Sequence, residues 1–407
     1  MTEGHKHVEA GSTTHDRRVV PATGGNPVHT ARILVPLAFA MITTFVIAVT
    51  AGNFGGVRVA GAALIGAGAG FALYHASFGF TSGWRRFIVD RRADGLRAQA
   101  LMIALTVACT VPLIGWGQSV GIAAGGFVFP FGLGSALGAA LFGIGMQLAG
   151  GCGSGTLFAA GGGSTRMLIT LFAFVAGSVA ATAHWSFWQG LPSLPPLSLV
   201  VEFGVGPTLA LTLLAGGALI AFANRAEQRR HGHLQPDRQA GSILSGPWSG
   251  RQGAVALAAV GVATLLVLGR PLGITSAFAL WGAKILAAGG VDVAAWDYWS
   301  GQRQALDAPV LADGTSVMDF GIMLGAMAAA ALAGRFRPVW RLSIRDIATA
   351  LAGGLLMGYG ARLSYGCNIG AYVGGIISGS LHGWFWLGFA FAGSLAGVAL
   401  RRRLGMT

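Results

Sequence analysis

The chain has 407 residues, 54% hydrophobic and only 10% charged, with 67 glycines and a mean hydropathy of +0.65. A soluble domain carries about a quarter charged residues, which argues against that class, and apolar runs near the ~20 residues that cross a bilayer point to an all-α polytopic membrane protein. The net charge of +13 comes mostly from arginines beside apolar runs, the positive-inside pattern rather than a nucleic-acid surface, and three cysteines without a CxxC pair argue against a disulfide framework or zinc module.

Residues 1–30 are polar, lack a signal-peptide apolar region and are expected to form a disordered cytosolic tail. Their His5, His7, His15 and His29 do not fall at familiar metal-ligand spacings, so no metal is expected there. Spans are expected at 33–51 and 57–74, followed by an interruption at Phe78-Gly79-Phe80 and a basic segment that contains Arg85, Arg86, Arg91, Arg92 and Arg97. Positive-inside places that segment in the cytoplasm. Further spans follow at 98–116, 131–148, 167–185 and 208–223, with a Pro-rich outer loop over 191–207. A polar, Arg-containing stretch at 224–252 divides the membrane domain into halves, 31–223 and 253–403, and is expected to be a cytosolic linker.

The second half offers spans at 254–268, 317–334, 347–363 and 381–400, giving about ten in all. A shorter apolar segment at 275–288, interrupted by Gly282 and carrying Lys284, holds the place that 78–86 holds earlier. The loop after it contains Asp292, Asp297, Asp307 and Asp313, which suits the outer side. Both termini are then cytoplasmic, in a bacterial inner (plasma) membrane.

Two stretches repeat each other. Gly150-Gly151-Cys152-Gly153-Ser154-Gly155 matches Tyr365-Gly366-Cys367-Asn368-Ile369-Gly370, and upstream Gly143 falls on Gly358, Gly145 on Gly360 and Leu148 on Leu363. Composition alone gives about one or two such coincidences in so short a window. Counting crossings, the first repeat starts from outside and the second from the cytoplasm, so the repeats are inverted and short re-entrant helices are expected at the cysteine loops.

Non-helical backbone at membrane depth persists only where protein or water satisfies it. Glycines permit the reversal, and the freed N–H groups of Gly151, Gly153, Gly155, Gly366, Asn368 and Gly370, with helix N-termini behind them, favour an anion. A neutral thiol at Cys152 and Cys367 adds a soft, weak donor that can hold a sulfur-bearing anion and let it go. Lys284, Arg362, Arg166 and Arg86 flank these sites and can set a positive approach. Packing accounts equally simply for one small residue in a turn. Cys109, mid-span, is expected to be a buried small hydrophobe; His184 and His382 read as interfacial polar residues, and Trp185, Trp188, Trp384 and Trp386 as an aromatic belt or packing.

Leu-Ala-Gly-Gly-Cys152-Gly-Ser-Gly and Leu-Ser-Tyr-Gly-Cys367-Asn-Ile-Gly, and more loosely 78–86, resemble the YeeE/YedE family of sulfur-transport membrane proteins, whose members include a thiosulfate uptake transporter. The resemblance spans about 56–397. It implies an hourglass bundle in which cysteines along a central path relay thiosulfate, with Cys152 and Cys367 inheriting that role. It also implies a further cysteine in the early segment, where this chain has Gly79, so another sulfur or selenium species competes with thiosulfate as cargo. A membrane redox or persulfide-handling enzyme using the same thiols is the second reading, and a subunit docking a small cytosolic sulfurtransferase the third. Flavin, haem and quinone motifs and a Gly-x-x-x-x-Gly-Lys loop are absent from the sequence, so no enzyme activity, cofactor or direct ATP drive is expected.

Overall fold

The computed structural model describes residues 27–406, with side-chain surroundings from residue 31; the tail expected over 1–30 lies outside the described residues but for 27–30, where the first helix begins. That helix, α1, runs Pro27–Ala76 and is broken at Gly56, whose φ of 76° is a conformation glycine takes without strain. It is followed by α2 (Phe80–Asp90), α3 (Asp94–Trp116), α4 (Leu133–Ala149), α5 (Gly153–Gly161), α6 (Thr165–Ala183) and α7 (Val205–His231). The second half contains α8 (Gly250–Leu268), α9 (Thr275–Ala288), α10 (Gly314–Leu332), α11 (Ile344–Leu363) and α12 (Leu381–Arg403). A two-residue ribbon, Phe131–Gly132 against Ser193–Leu194, is the sole sheet among the described residues.

Eight helices among the described residues are long and apolar enough to cross a membrane. The ten expected spans are recovered by counting the two arms of α1 separately and adding α11, whose Arg345, Asp346 and Arg362 lower its apolarity. The bundle is held by glycine seams. A methyl group placed on Gly70 would lie 2.0 Å from the Ile322 carbonyl oxygen, and one on Gly325 1.9 Å from that of Ala67, so α1 and α10 touch backbone to backbone. Lipid offers no hydrophobic drive between helices, and close approach of small residues supplies the dispersion contact instead.

The contacts come in exchanged pairs. Gly143 seats α4 on α12, where a methyl group on it would lie 2.1 Å from the Ala390 carbonyl oxygen, and its repeat partner Gly358 seats α11 on α6, where one would lie 2.2 Å from that of Phe174. Between α4 and α11, a methyl group on Gly138 would lie 2.8 Å from the Gly360 carbonyl oxygen and one on Gly145 2.7 Å from that of Gly353. One number rises as the other falls, so these equivalent helices are antiparallel. The second arm of α1 and α8 behave alike, with Gly61 against Val267 and Gly253 against Ala76. Opposed halves related by a local two-fold axis follow directly from these contacts.

The 224–252 stretch is tied down rather than loose. α7 continues to His231, and Glu227, fully buried, accepts from Arg97 Nη1 at 2.6 Å, Arg92 Nη1 at 3.3 Å and the backbone N–H groups of Ala93 and Gln235. Asp237 then caps α8 through the Gly250 and Arg251 N–H groups.

Candidate functional site

α4 ends at Gly150 in the left-handed region (φ 86°), and Cys152 takes an extended conformation (φ −89°, ψ −167°) as the residue just before α5. The second copy repeats this geometry. Tyr365 is left-handed at φ 61°, and Cys367 (φ −112°, ψ −168°) precedes a π-helical turn, Asn368–Val373, that passes into Gly374–Ile377. A tyrosine held left-handed costs energy and persists only where its surroundings fix it. Here Phe129 stacks on its ring at 5.1 Å, and Trp185 and His382 meet it edge-on.

The two loops touch at the centre of the bundle. A methyl group on Gly153, the residue after Cys152, would lie 3.1 Å from Cys367 Sγ and 3.6 Å from Thr275 Cγ2. Cys152 Sγ is 3.6 Å from Ser154 Oγ, and a methyl group on Gly155 would lie 3.4 Å from the same sulfur. Both thiols are fully buried. The first bonded amide of α5 is Thr156, which donates to the Cys152 carbonyl at 2.8 Å, and Ala371 donates likewise to Cys367. The amides of the preceding residues therefore stand at helix starts, where N–H groups lack intrahelical acceptors; those of Ile369 and Gly370 turn to the Cys367 sulfur, and the Gly366 amide, expected to be free, donates to the Ala361 carbonyl at 2.8 Å.

Two further observations mark polar capacity in use by nothing in the chain. Asn368 is fully buried, and neither its Nδ2 nor its Oδ1 has a hydrogen-bond partner. An amide buried that way costs about 1–3 kcal/mol unless something meets it. Gly370 is also buried, yet a methyl group there would touch nothing within 4 Å, so a gap lies beside the second loop. A cavity of about 30 Å³ sits between the halves, lined by Phe78, Phe80, Ser154, Ile274, Ile322 and Ile369. Neither thiol is open to solvent.

The C-terminal carbonyls of α4 would present negative charge to an anion at Cys152. Arg166 donates to Ala149 O at 2.7 Å and Leu148 O at 3.0 Å, and Arg401 to Gln147 O at 2.9 Å, so two guanidinium groups offset that end. Arg166 was legible as a basic neighbour, whereas Arg401, from the far end of α12, was not.

Other expected residues fall elsewhere. Lys284 donates to the Leu306 and Ala308 carbonyls, tethering the 303–312 loop. Arg362 is buried in the last turn of α11, with Nη1 2.9 Å from Tyr298 Oη and its guanidinium over that ring. Arg86 pairs with Asp94 at 2.6 Å, half-exposed. Gly79 precedes α2, accepts from Gln99 Nε2, and lies between the cavity-lining Phe78 and Phe80.

Two sequence expectations are corrected. Cys109 is exposed on the outside of the bundle, because α3 turns its Thr106–Thr110 side inward instead. His382 is fully buried between Phe129 and Tyr365, with neither ring nitrogen hydrogen-bonded, rather than interfacial. Of the belt and packing alternatives, Trp386 takes packing: it is buried, donates to Ser364 Oγ at 3.0 Å and stacks on Tyr372 beneath the second loop.

The chain matches the sulphur transport family over residues 75–396. It is 28% identical over 356 residues to the thiosulfate transporter TsuA of Escherichia coli strain K12, covering 81% of this chain and 90% of that protein. Against TsuA of Spirochaeta thermophila it is 28% identical over 298 residues, covering 66% and 78%. A shorter stretch is 36% identical over 113 residues to the probable transporter YedE of Salmonella typhimurium, so the match spans 28% of that relative's length. The family match runs from the end of α1 through most of α12 and takes in both cysteine loops. On that match and this architecture, the chain belongs to the sulphur transport family of multi-pass membrane proteins.

Proposed function

We propose that the protein carries thiosulfate into the cell across the bacterial inner membrane, passing it between the Cys152 and Cys367 loops. The single observation that carries this reading is the contact itself. Two thiols, two sets of helix-start N–H groups and an unpartnered Asn368 amide meet at one point between opposed halves. A thiol donates weakly and polarises easily, so it suits the terminal sulfur of thiosulfate, while N–H groups suit its oxygens. Weak, successive contacts release as readily as they bind. The thiosulfate specificity named for the TsuA relatives supports the choice of cargo. Both termini lie in the cytoplasm on this reading, where a small sulfurtransferase is the natural recipient.

Proteoliposomes containing the full chain should take up labelled thiosulfate, with unlabelled thiosulfate competing better than sulfate, sulfite or selenite. Cys152→Ala combined with Cys367→Ala should abolish uptake. Undiminished uptake by the double variant would remove the relay, and uptake of selenite in preference would reassign the cargo.

A further inference from the structure

Among the described residues, two acidic side chains are fully buried, and they are treated in opposite ways. Glu227 accepts from two arginines and two backbone amides. Asp319, in α10, has no partner for either carboxylate oxygen. An ionised carboxylate without a donor at membrane depth is prohibitively costly, so this arrangement suits the neutral acid.

The surroundings offer Asp319 no fixed counter-charge in contact. α10 packs on the second arm of α1, which holds no titratable residue between Arg58 and Tyr74. It also packs on α5 through Met323 against Gly161, and α5 has none either. From α9 it receives Trp281, which donates to Ser316 and stacks on Phe320, while Lys284 of that helix is spent on loop carbonyls. The charged groups that act on Asp319 at longer range are Arg270 and Asp313, both engaged nearer the start of α10. Arg270 Nη2 donates to Thr315 Oγ1 at 2.8 Å, and Asp313 accepts from Ser316 N and Oγ. Asp319 lies about 6 Å further along the helix than Thr315. One turn further along, Ile322 of the same helix lines the cavity shared with Ser154 and Ile369 of the two cysteine loops.

We propose that Asp319 is the proton-carrying group of a coupled cycle, in which the anion is admitted to the thiol loops while this carboxyl is protonated and the two cross together. The inference rests on the transport reading above. A carboxylate beside the path repels the cargo and a carboxylic acid does not, so proton binding raises anion affinity and anion binding raises proton affinity by the same factor. The proton enters from water on the face bearing Arg270 and Asp313, rides as the carboxyl O–H, and is released to water on the opposite face. No electron moves and no bond other than O–H is made or broken.

The test uses proteoliposomes of the full chain with a pH-reporting dye inside and labelled thiosulfate outside. In the wild type, inward thiosulfate flux should acidify the lumen, and an inward proton gradient should drive accumulation above equilibrium. Asp319→Asn should lose that accumulation by about tenfold or more, within the usual range of coupling factors. It should keep measurable exchange of labelled for preloaded thiosulfate, now insensitive to pH, and Asp319→Glu should restore part of the pH response. Thiosulfate flux without acidification in the wild type overturns this proposal alone, whatever the variants do. Gradient-driven accumulation by Asp319→Asn at the wild-type level overturns it as well. A wild type that exchanges no thiosulfate overturns the transport reading and takes this proposal with it.

Discussion

Gly153→Ala probes the space between the two loops with a single methyl group. That methyl would sit 3.1 Å from Cys367 Sγ and 3.4 Å from Cys367 Cβ, where unstrained carbon contacts begin at about 3.5–4.0 Å. One side must withdraw by about half an ångström. Misplacing a reacting or relaying group by 1 Å can cost about 10²-fold, so half that distance predicts about a tenfold fall in uptake rate, or ~1.4 kcal/mol. The fold should not suffer. Gly153 opens α5 without a left-handed φ, and alanine in a helix is favoured over glycine by about 0.5–1 kcal/mol. The assay is the initial rate of labelled thiosulfate uptake in proteoliposomes, normalised to monodisperse protein, beside the unfolding midpoint in detergent. Gly155→Ala is the control, since its methyl would make only an ordinary 3.4 Å contact with Cys152 Sγ. Its rate should stay near that of the wild type. If Gly153→Ala transports at the wild-type rate with unchanged stability, the gap between the loops is not on the cargo's route and the reasoning fails.

Asn368→Leu should lower uptake while leaving thermal stability equal or slightly raised, because it removes two unmet polar groups from the interior; a marked loss of stability would mean the amide has a structural partner. Arg166→Gln removes donors from the Ala149 and Leu148 carbonyls and should cost about 1–3 kcal/mol in unfolding free energy. It should also weaken thiosulfate competition measured by displacement of labelled anion. Gly325→Leu would drive a side chain into the Ala67 carbonyl, already 1.9 Å from a methyl position, and should abolish monodisperse protein on size-exclusion chromatography. Glu227→Ala strands Arg92 and Arg97 and should lower stability by about 3 kcal/mol, with transport by the surviving folded fraction unaltered.

Much of the fold was legible because bilayer crossing imposes long apolar runs, although α11, with its charged ends, stands out less by apolarity than the other spans. The repeat was legible too, but the packing role of its upstream glycines was not. Gly143 with Gly358 and Gly145 with Gly360 in fact seat helices against neighbouring carbonyls, a role that depends on which helices are neighbours and so leaves no local trace. Lys284 and Arg362 looked like site charges for their nearness in sequence to apolar segments. In the folded chain each finds the nearest oxygen instead, loop carbonyls in one case and Tyr298 in the other. Asp319 was the opposite failure. It is the one acid inside the expected 317–334 span, and an intramembrane carboxyl is a functional signal in its own right. It lies outside the repeated cysteine motifs that carry the site reading, six residues past Asp313 of the outer loop. Arg401 could not have been found, since only folding brings the end of α12 to the end of α4.

The antiparallel meeting of α4 and α11 has a mechanical consequence. Gly138, Gly145, Gly353 and Gly360 bring the two backbones close together, with Leu141, Leu356 and Leu363 flanking the seam. A small tilt about that seam would keep the two backbones in contact. α4 is about 25 Å long, so a tilt of about 5° at its middle moves each end by about 1 Å. Cys152 and Cys367 hang just beyond those ends, and a lever of this size is enough to widen or shut the spacing between the sulfurs without unpacking either half.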